Sequence, residues 1–185
     1  MPRDHFDLIA GVYDRGAPFT PSGMLLEQLA LSSADLLLDA GGGTGRVTAA
    51  LRSSVREAVV ADLSRGMLLR AAAKGLVTTR APLEHLPFPS GTFDRIIMVD
   101  AFHHVLDQRQ TGNELWRVLA PGGRLVIVEP DIHKFSVKML AIGEKLLLMR
   151  SHFLTGEQIG SLFSEQKAQL SVVYDEWNTV ILIKK

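Results

Sequence analysis

The strongest constraint on this chain is a short passage that reads as strand, tight turn and helix: Leu36-Leu37-Leu38-Asp39-Ala40-Gly41-Gly42-Gly43-Thr44-Gly45. A short apolar run fits a buried strand, and the glycines that end it allow positive φ and let a ligand lie against bare backbone. A helix is expected from about Gly45 to Ser53. In open sheets covered by helices on both faces, ligands bind at the carboxyl end of such a strand, against the start of the next helix. A glycine loop also serves wherever a turn needs small residues, so by itself it leaves ligand binding open.

The rest of the sequence alternates apolar runs with amphipathic stretches, the pattern of an α/β sheet with covering helices. Strands are expected at Ala58–Asp62, Leu76–Arg80, Asp94–Asp100 and Arg124–Glu129, with Ser64 capping a helix that runs to about Ala73. Pro82, Pro87 and Pro89 exclude regular structure through Leu86–Gly91. A helix that includes Asn113–Leu119 stops at Pro121-Gly122-Gly123, and two more are expected over Ser136–Arg150 and Thr155–Glu165. Leu170–Tyr174 and Thr179–Ile183 are β-rich and flank the turn-like Asp175–Asn178, which makes an antiparallel hairpin. With 185 residues, no repeat and no linker, residues 1–185 read as one domain. Its parts are an N-terminal cap segment and first helix over 1–31, a binding core over 36–130, and helices with the hairpin over 131–185.

Composition removes several chemistries. The chain has no cysteine, so disulfides, thiolate metal sites and a cysteine nucleophile are excluded. Twenty basic residues balance twenty acidic ones, and a net charge of zero gives no general drive toward nucleic acid. Apolar runs such as Ile96–Val99 are too short to span a bilayer, and the N-terminal passage lacks the apolar stretch of a signal peptide. A cytoplasmic protein is expected. His5 and His133 have no credible partners for a metal, so no metal site is expected.

An acid at the tip of the second expected strand changes the weight of the glycine loop. Asp62 follows the glycines by about 20 residues, the spacing at which a carboxylate meets the ribose hydroxyls of a nucleoside held over such a loop. The bland alternative for Asp62 is a helix N-cap, a role for which Ser64 competes. No Lys-Ser/Thr pair follows the glycines, which excludes a triphosphate loop. Arg46 stands where the dinucleotide fingerprint needs its last glycine. Asp39 opens an acid-x-G-x-G-x-G pattern, and an acid there disfavours a pyrophosphate and favours a cationic amino-acid cofactor. On charge, the loop points to S-adenosylmethionine over NAD.

Taken in order, these passages resemble the class I S-adenosylmethionine-dependent methyltransferases, and within them the ubiquinone/menaquinone-biosynthesis C-methyltransferases. Leu36–Gly45 is similar to the family's first motif, and Asp62-Leu63-Ser64 with Met67-Leu68 to its ribose-binding segment. Leu83-Glu84-His85-Leu86-Pro87-Phe88 with Gly91-Thr92-Phe93-Asp94 is similar to the adenine-side loop and fourth strand. Ala101-Phe102-His103-His104-Val105 and Arg117-Val118-Leu119-Ala120-Pro121-Gly122-Gly123 resemble the stretches after strand four and before strand five. Asp7 through Tyr13-Asp14 is similar to an N-terminal stretch that closes over the cofactor.

The resemblance implies a Rossmann-like three-layer sandwich, a mostly parallel seven-stranded sheet of order 3-2-1-4-5-7-6 with strand seven antiparallel. It places Asp39, Gly41 and Gly43 around the methionine part, Asp62 at the ribose, and Leu63, Met67, Leu83 and Glu84 about the adenine. Asp100 falls beside the methionine ammonium, and Tyr13 comes within reach of cofactor or acceptor. Pro82 departs from the pattern, since the family commonly has an adenine-binding acid there.

Methyl transfer from a sulfonium is an in-line displacement, so alignment is the main demand on the protein and S-adenosylhomocysteine is the product. A phenolic or enolic acceptor would also need a base, for which His103 and His104 are the candidates; their bland reading is one packed and one solvated histidine at a helix entry. The apolar stretch from Phe135 to Met149 reads first as core or a dimer face, and second as an acceptor lining. The expected partner is a small-molecule methyl acceptor, apolar or aromatic. A chain this short leaves little for a cover, which points to an open site or one completed by a partner subunit, as in a homodimer. Three alternatives stay open: an NAD-dependent reductase, an RNA or protein methyltransferase using a basic face that includes Arg52, Arg56 and Lys74, and a binding module without turnover.

Overall fold

The computed structural model describes residues 19–133, 152–174 and 177–185. The helix expected over Ser136–Arg150, the apolar stretch around it and the middle of the hairpin turn lie outside these. Strands β1 (Leu36–Ala40), β2 (Glu57–Asp62), β3 (Val77–Arg80), β4 (Phe93–Val99), β5 (Leu119–Pro130), β6 (Gln169–Tyr174) and β7 (Asn178–Lys184) form one sheet. Its order is β3-β2-β1-β4-β5-β7-β6. β7 runs antiparallel to β5 and β6, and every other pair is parallel. The α/β architecture, the strand order and the C-terminal hairpin are as the sequence led one to expect.

Strand periodicity sorts the core into two layers. Leu38, Ala40, Ile96, Met98, Leu125, Ile127, Ile181 and Ile183 share one buried cluster. Their neighbours Leu37, Ile97, Val126, Val128, Val180 and Leu182 share the other. On that second face lie α1 (Gly23–Leu29) and α2 (Arg46–Leu51), through Leu25, Leu29, Val47 and Leu51. α3 (Arg65–Ala73) packs Leu68 and Ala71 on Val60. The first face receives α4 (Gln108–Val118) through Leu115 and Val118, and α5 (Gly156–Ser161) through Ile159.

The three largest departures from the sequence reading each have a local reason. α4 begins well before Asn113 because the Asp107 carboxylate accepts from Gln110 N at 2.9 Å and caps it. β5 begins at Leu119, directly after the helix, and Pro121-Gly122-Gly123 lies inside it at a register shift against β4. α5 ends at Ser161, short of Glu165; i→i+3 bonds such as Phe163 N to Gly160 O (3.0 Å) tighten the chain and turn Phe163 into the core. Thr155 does cap α5, as expected, and forms a capping box with Gln158.

The proline-rich loop between β3 and β4 is held by one ion pair on α4. Buried Glu114 accepts from Leu86 N at 2.7 Å and from Arg117, whose guanidinium also donates to the carbonyls of Leu86 and Phe88. The pairing with Arg117 lowers the Glu114 acid below its ordinary value. Glu114→Ala should cost about 2 kcal/mol, since it strands a buried backbone donor and one face of the arginine. A urea melt of the variant against the parent checks this, and an unchanged midpoint would show that the loop holds itself.

Candidate functional site

The carboxyl ends of β1, β2 and β4 meet at the glycine loop. Gly41 and Gly43 adopt φ of +71° and +54°, a region open to glycine and strained for other residues. Gly41 N and Gly42 N donate to Ala61 O at 2.7 and 3.3 Å, which ties the loop to the end of β2. A Cβ on Gly41 would lie 2.7 Å from Ala101 Cβ, and one on Gly42 would lie 2.5 Å from the Asp39 carboxyl carbon. Above Gly43 the nearest atoms, Asp62 Oδ2 and Met67 Sδ, stand 3.9 Å off. The first two glycines therefore allow close packing within the protein, and Gly43 leaves room for a ligand.

Asp62 ends β2 and faces that space. Its Oδ2 accepts from Gly43 N at 2.9 Å and its Oδ1 from Ser64 N at 2.8 Å. Ser64 takes the cap of α3, accepting from Met67 N at 3.3 Å, which frees Asp62 from that role. Leu63 is half exposed at 51% while Met67 lies buried behind the loop, giving an apolar flank beside the acid. Leu83 is buried, with Cδ1 3.5 Å from the Cβ position of Gly41. Glu84 Oε1 accepts from Leu106 N and Asp107 N at 2.9 and 3.2 Å and braces the entry to α4. Tyr13 lies outside the described residues.

Asp39 is the unusual group of the site. It is buried at 1% exposure, and its Oδ2 accepts from the Thr48 hydroxyl at 2.5 Å. Its Oδ1 is buried with no hydrogen-bond partner among the described residues. Burial, assisted by the nearby Asp62 charge and opposed by Thr48, pushes its acid up from 3.8 to about 6. A buried anionic oxygen without a donor is costly, and a cation at the glycine loop would offset that cost.

The turn after β4 completes the edge. Asp100 is exposed and takes φ of +52°, with its N–H donating to Val128 O at 2.9 Å. Partial desolvation and the Glu129 carboxylate raise its acid, while His103 and Arg46 oppose the shift. Glu129, near the end of β5, is buried and accepts from Ala101 N, Phe102 N and His103 at 3.0, 2.8 and 2.5 Å. His103 is itself buried, and its ring stacks on Phe153 with centroids 4.2 Å apart and lies 3.9 Å from His104. His104 is partly buried, and desolvation with the neighbouring His103 lowers its pKa to about 4, so it is neutral at pH 7.

Sequence reasoning missed Glu129 and Thr48. Glu129 reads as an ordinary strand end, and Thr48 as an ordinary helix residue. Buried acceptor groups need donors, and the polar residue a turn after the loop was the available signal for Thr48. Among the described residues there is no cluster of histidines and acids that could hold a metal ion, and no helix is long and apolar enough to cross a membrane.

Comparison with known proteins agrees with this geometry. Residues 38–127 match the family model for a methyltransferase domain. The chain is 37% identical over 128 residues to the demethylmenaquinone methyltransferase of Mycolicibacterium vanbaalenii, covering 68% of this chain and 54% of that protein. It is 31% identical over 152 residues to the ubiquinone/menaquinone biosynthesis C-methyltransferase UbiE of Methylococcus capsulatus, covering 72% and 61%. The chain thus spans little more than half the length of these relatives. Among solved structures, a chain from the complex of the Haloferax volcanii Trm112 methyltransferase activator with a methyltransferase superposes with a TM-score of 0.82. The identity there is 18%, with 100% and 99% of the two chains covered, and the likeness is one of fold.

The buried carboxylate gives a pH signature. Between pH 3.8 and about 6 the folded ligand-free protein holds a proton at Asp39 that the unfolded chain releases, so this group's contribution falls as pH rises through that window. The loss reaches up to about 3 kcal/mol above pH 6. Asp39→Asn should therefore be more stable than the parent at pH 7.5 and show a flatter profile from pH 4 to 7. Urea melts across that range check it, and parallel profiles for the two proteins would refute it.

Proposed function

We propose that this chain, whose residues 38–127 belong to the methyltransferase-domain family, is an S-adenosylmethionine-dependent methyltransferase. The observation that carries the reading is the buried, unpartnered Asp39 Oδ1 beneath a glycine loop that stays open at Gly43. An anionic floor suits a cofactor bearing an ammonium and a sulfonium and opposes a pyrophosphate. Asp62 would accept from the ribose hydroxyls, Leu63 would cover one adenine face, and Asp100 would stand toward the amino-acid end. Bound there, S-adenosylmethionine supplies a methyl group already activated on sulfur and leaves as S-adenosylhomocysteine.

The chain's own residues then orient the partners and exclude water. The acceptor we favour is a small apolar or aromatic molecule with a reduced, quinol-type ring, in line with the demethylmenaquinone methyltransferases to which the chain is similar. Exposed Leu106, 74% accessible, and partly buried Phe153 supply apolar surface on the β4 side. Of the histidine pair, His104 is the more accessible and neutral at pH 7, so it would be the one to take a proton from an acceptor. His103 acts through its neighbours.

Calorimetric titration tests the reading. S-adenosylmethionine and S-adenosylhomocysteine should bind and NADH should not, and Asp62→Ala should weaken both sulfur ligands by about tenfold or more through loss of charged hydrogen bonds. Absence of binding by folded protein would overturn it. Transfer of labelled methyl to 1,4-dihydroxynaphthalene, kept reduced, then tests the acceptor class.

A further inference from the structure

We propose that Glu129 is a positioning residue that sets the turn over residues 100–103 and so aims Asp100 at the amino-acid end of the cofactor. The inference rests on the cofactor reading above. In the strand order, β1 lies between β2 and β4. A ligand whose ribose meets Asp62 on β2 and crosses the loop after β1 brings its other end to the tip of β4, where Asp100 stands. Asp100 reaches that place only by a left-handed backbone, which a residue other than glycine adopts at some cost.

Glu129 holds that conformation. One oxygen takes the two backbone donors that follow Asp100, at 3.0 and 2.8 Å, and the other takes His103 Nδ1 at 2.5 Å. Asp100 N is fixed separately on Val128 O. The turn is also pressed against the glycine loop, since Ala101 Cβ stands 2.7 Å from where a side chain on Gly41 would begin. Shared by three donors, the buried carboxylate links β5 to the turn and, through His103 and its stacking on Phe153, to the chain entering α5.

The test compares two ligands that share the adenosine part: S-adenosylhomocysteine, which has the amino acid, and 5′-methylthioadenosine, which lacks it. The parent should bind the first more tightly. Glu129→Ala should lose about tenfold on S-adenosylhomocysteine and change less than about twofold on methylthioadenosine. Glu129→Gln should stay close to the parent, because its amide oxygen still accepts from both backbone N–H groups and its nitrogen can donate to His103. A loss in Glu129→Gln as large as in Glu129→Ala would assign the effect to charge and overturn the proposal. Equal weakening of both ligands in Glu129→Ala would do the same.

Should Glu129→Ala fail to fold by near-ultraviolet circular dichroism, Asp100→Asn at an exposed position decides: it must lose the same selectivity for the amino-acid end, and a retained preference overturns the proposal. If the parent binds neither ligand, the cofactor reading itself falls. If the parent binds both equally, that reading stands and the role of Glu129 falls.

Discussion

The site is organised around a carboxylate that the fold removes from water without fully satisfying. Asp39 sits at the end of a strand whose neighbours are apolar on both faces, and Thr48 engages only one of its oxygens. The surrounding chain conforms to it. Gly42 has to be bare because a Cβ would run into the carboxyl group, and α2 must start where it does for Thr48 to reach Oδ2. A group of this kind costs the free protein stability. A cationic ligand would offset that cost, so the same atom would favour a cation at the loop.

The remaining parts of the edge have separate roles. Asp62 is braced by two backbone donors, with its Oδ2 on the open side of Gly43. Ser64, not Asp62, caps α3. Glu114 with Arg117 holds the proline loop, and Glu84 holds the start of α4, so two acids on one side of the site serve the scaffold. Acids that look alike in sequence thus separate by the donors that the fold brings to them.

Much of the fold was legible because strand burial is written in adjacent residues. The apolar runs of β1, β2 and β4, the acid ending β2, the cap at Ser64 and the C-terminal hairpin all follow from local pattern. The position of Asp39 beside the glycine loop and of Asp62 at the tip of β2 was readable for the same reason. What escaped depends on contacts distant in sequence. Glu129 acquires its meaning from backbone donors 27 and 28 positions earlier, and nothing near it announces them. α4 was placed late because its first turn, Gln108 to Thr111, lacks apolar periodicity and is fixed by the Asp107 cap. Glu84 was assigned to the adenine by resemblance, while its side chain is directed to two N–H groups at the entry of α4.

Electrostatics links the parts into one device. Asp39, Asp62, Asp100 and Glu129 all lie at the carboxyl edge; the acid of Asp39 is raised by burial and that of Asp100 by partial loss of water, and each also by a neighbouring carboxylate. Arg46 and His103 act against the shift at Asp100. A cation arriving at the loop would favour the ionised form of each acid, and thereby lower their raised pKa values. Near pH 6, where Asp39 is partly protonated in the free protein, binding must release protons. By linkage, affinity for a cationic ligand then falls as pH drops below that value, while a neutral ligand of the same shape is affected less. On the proposed reading, the product of methyl transfer from a sulfonium carries one positive charge fewer than the cofactor, so the acids beneath the loop would favour the cofactor over its product.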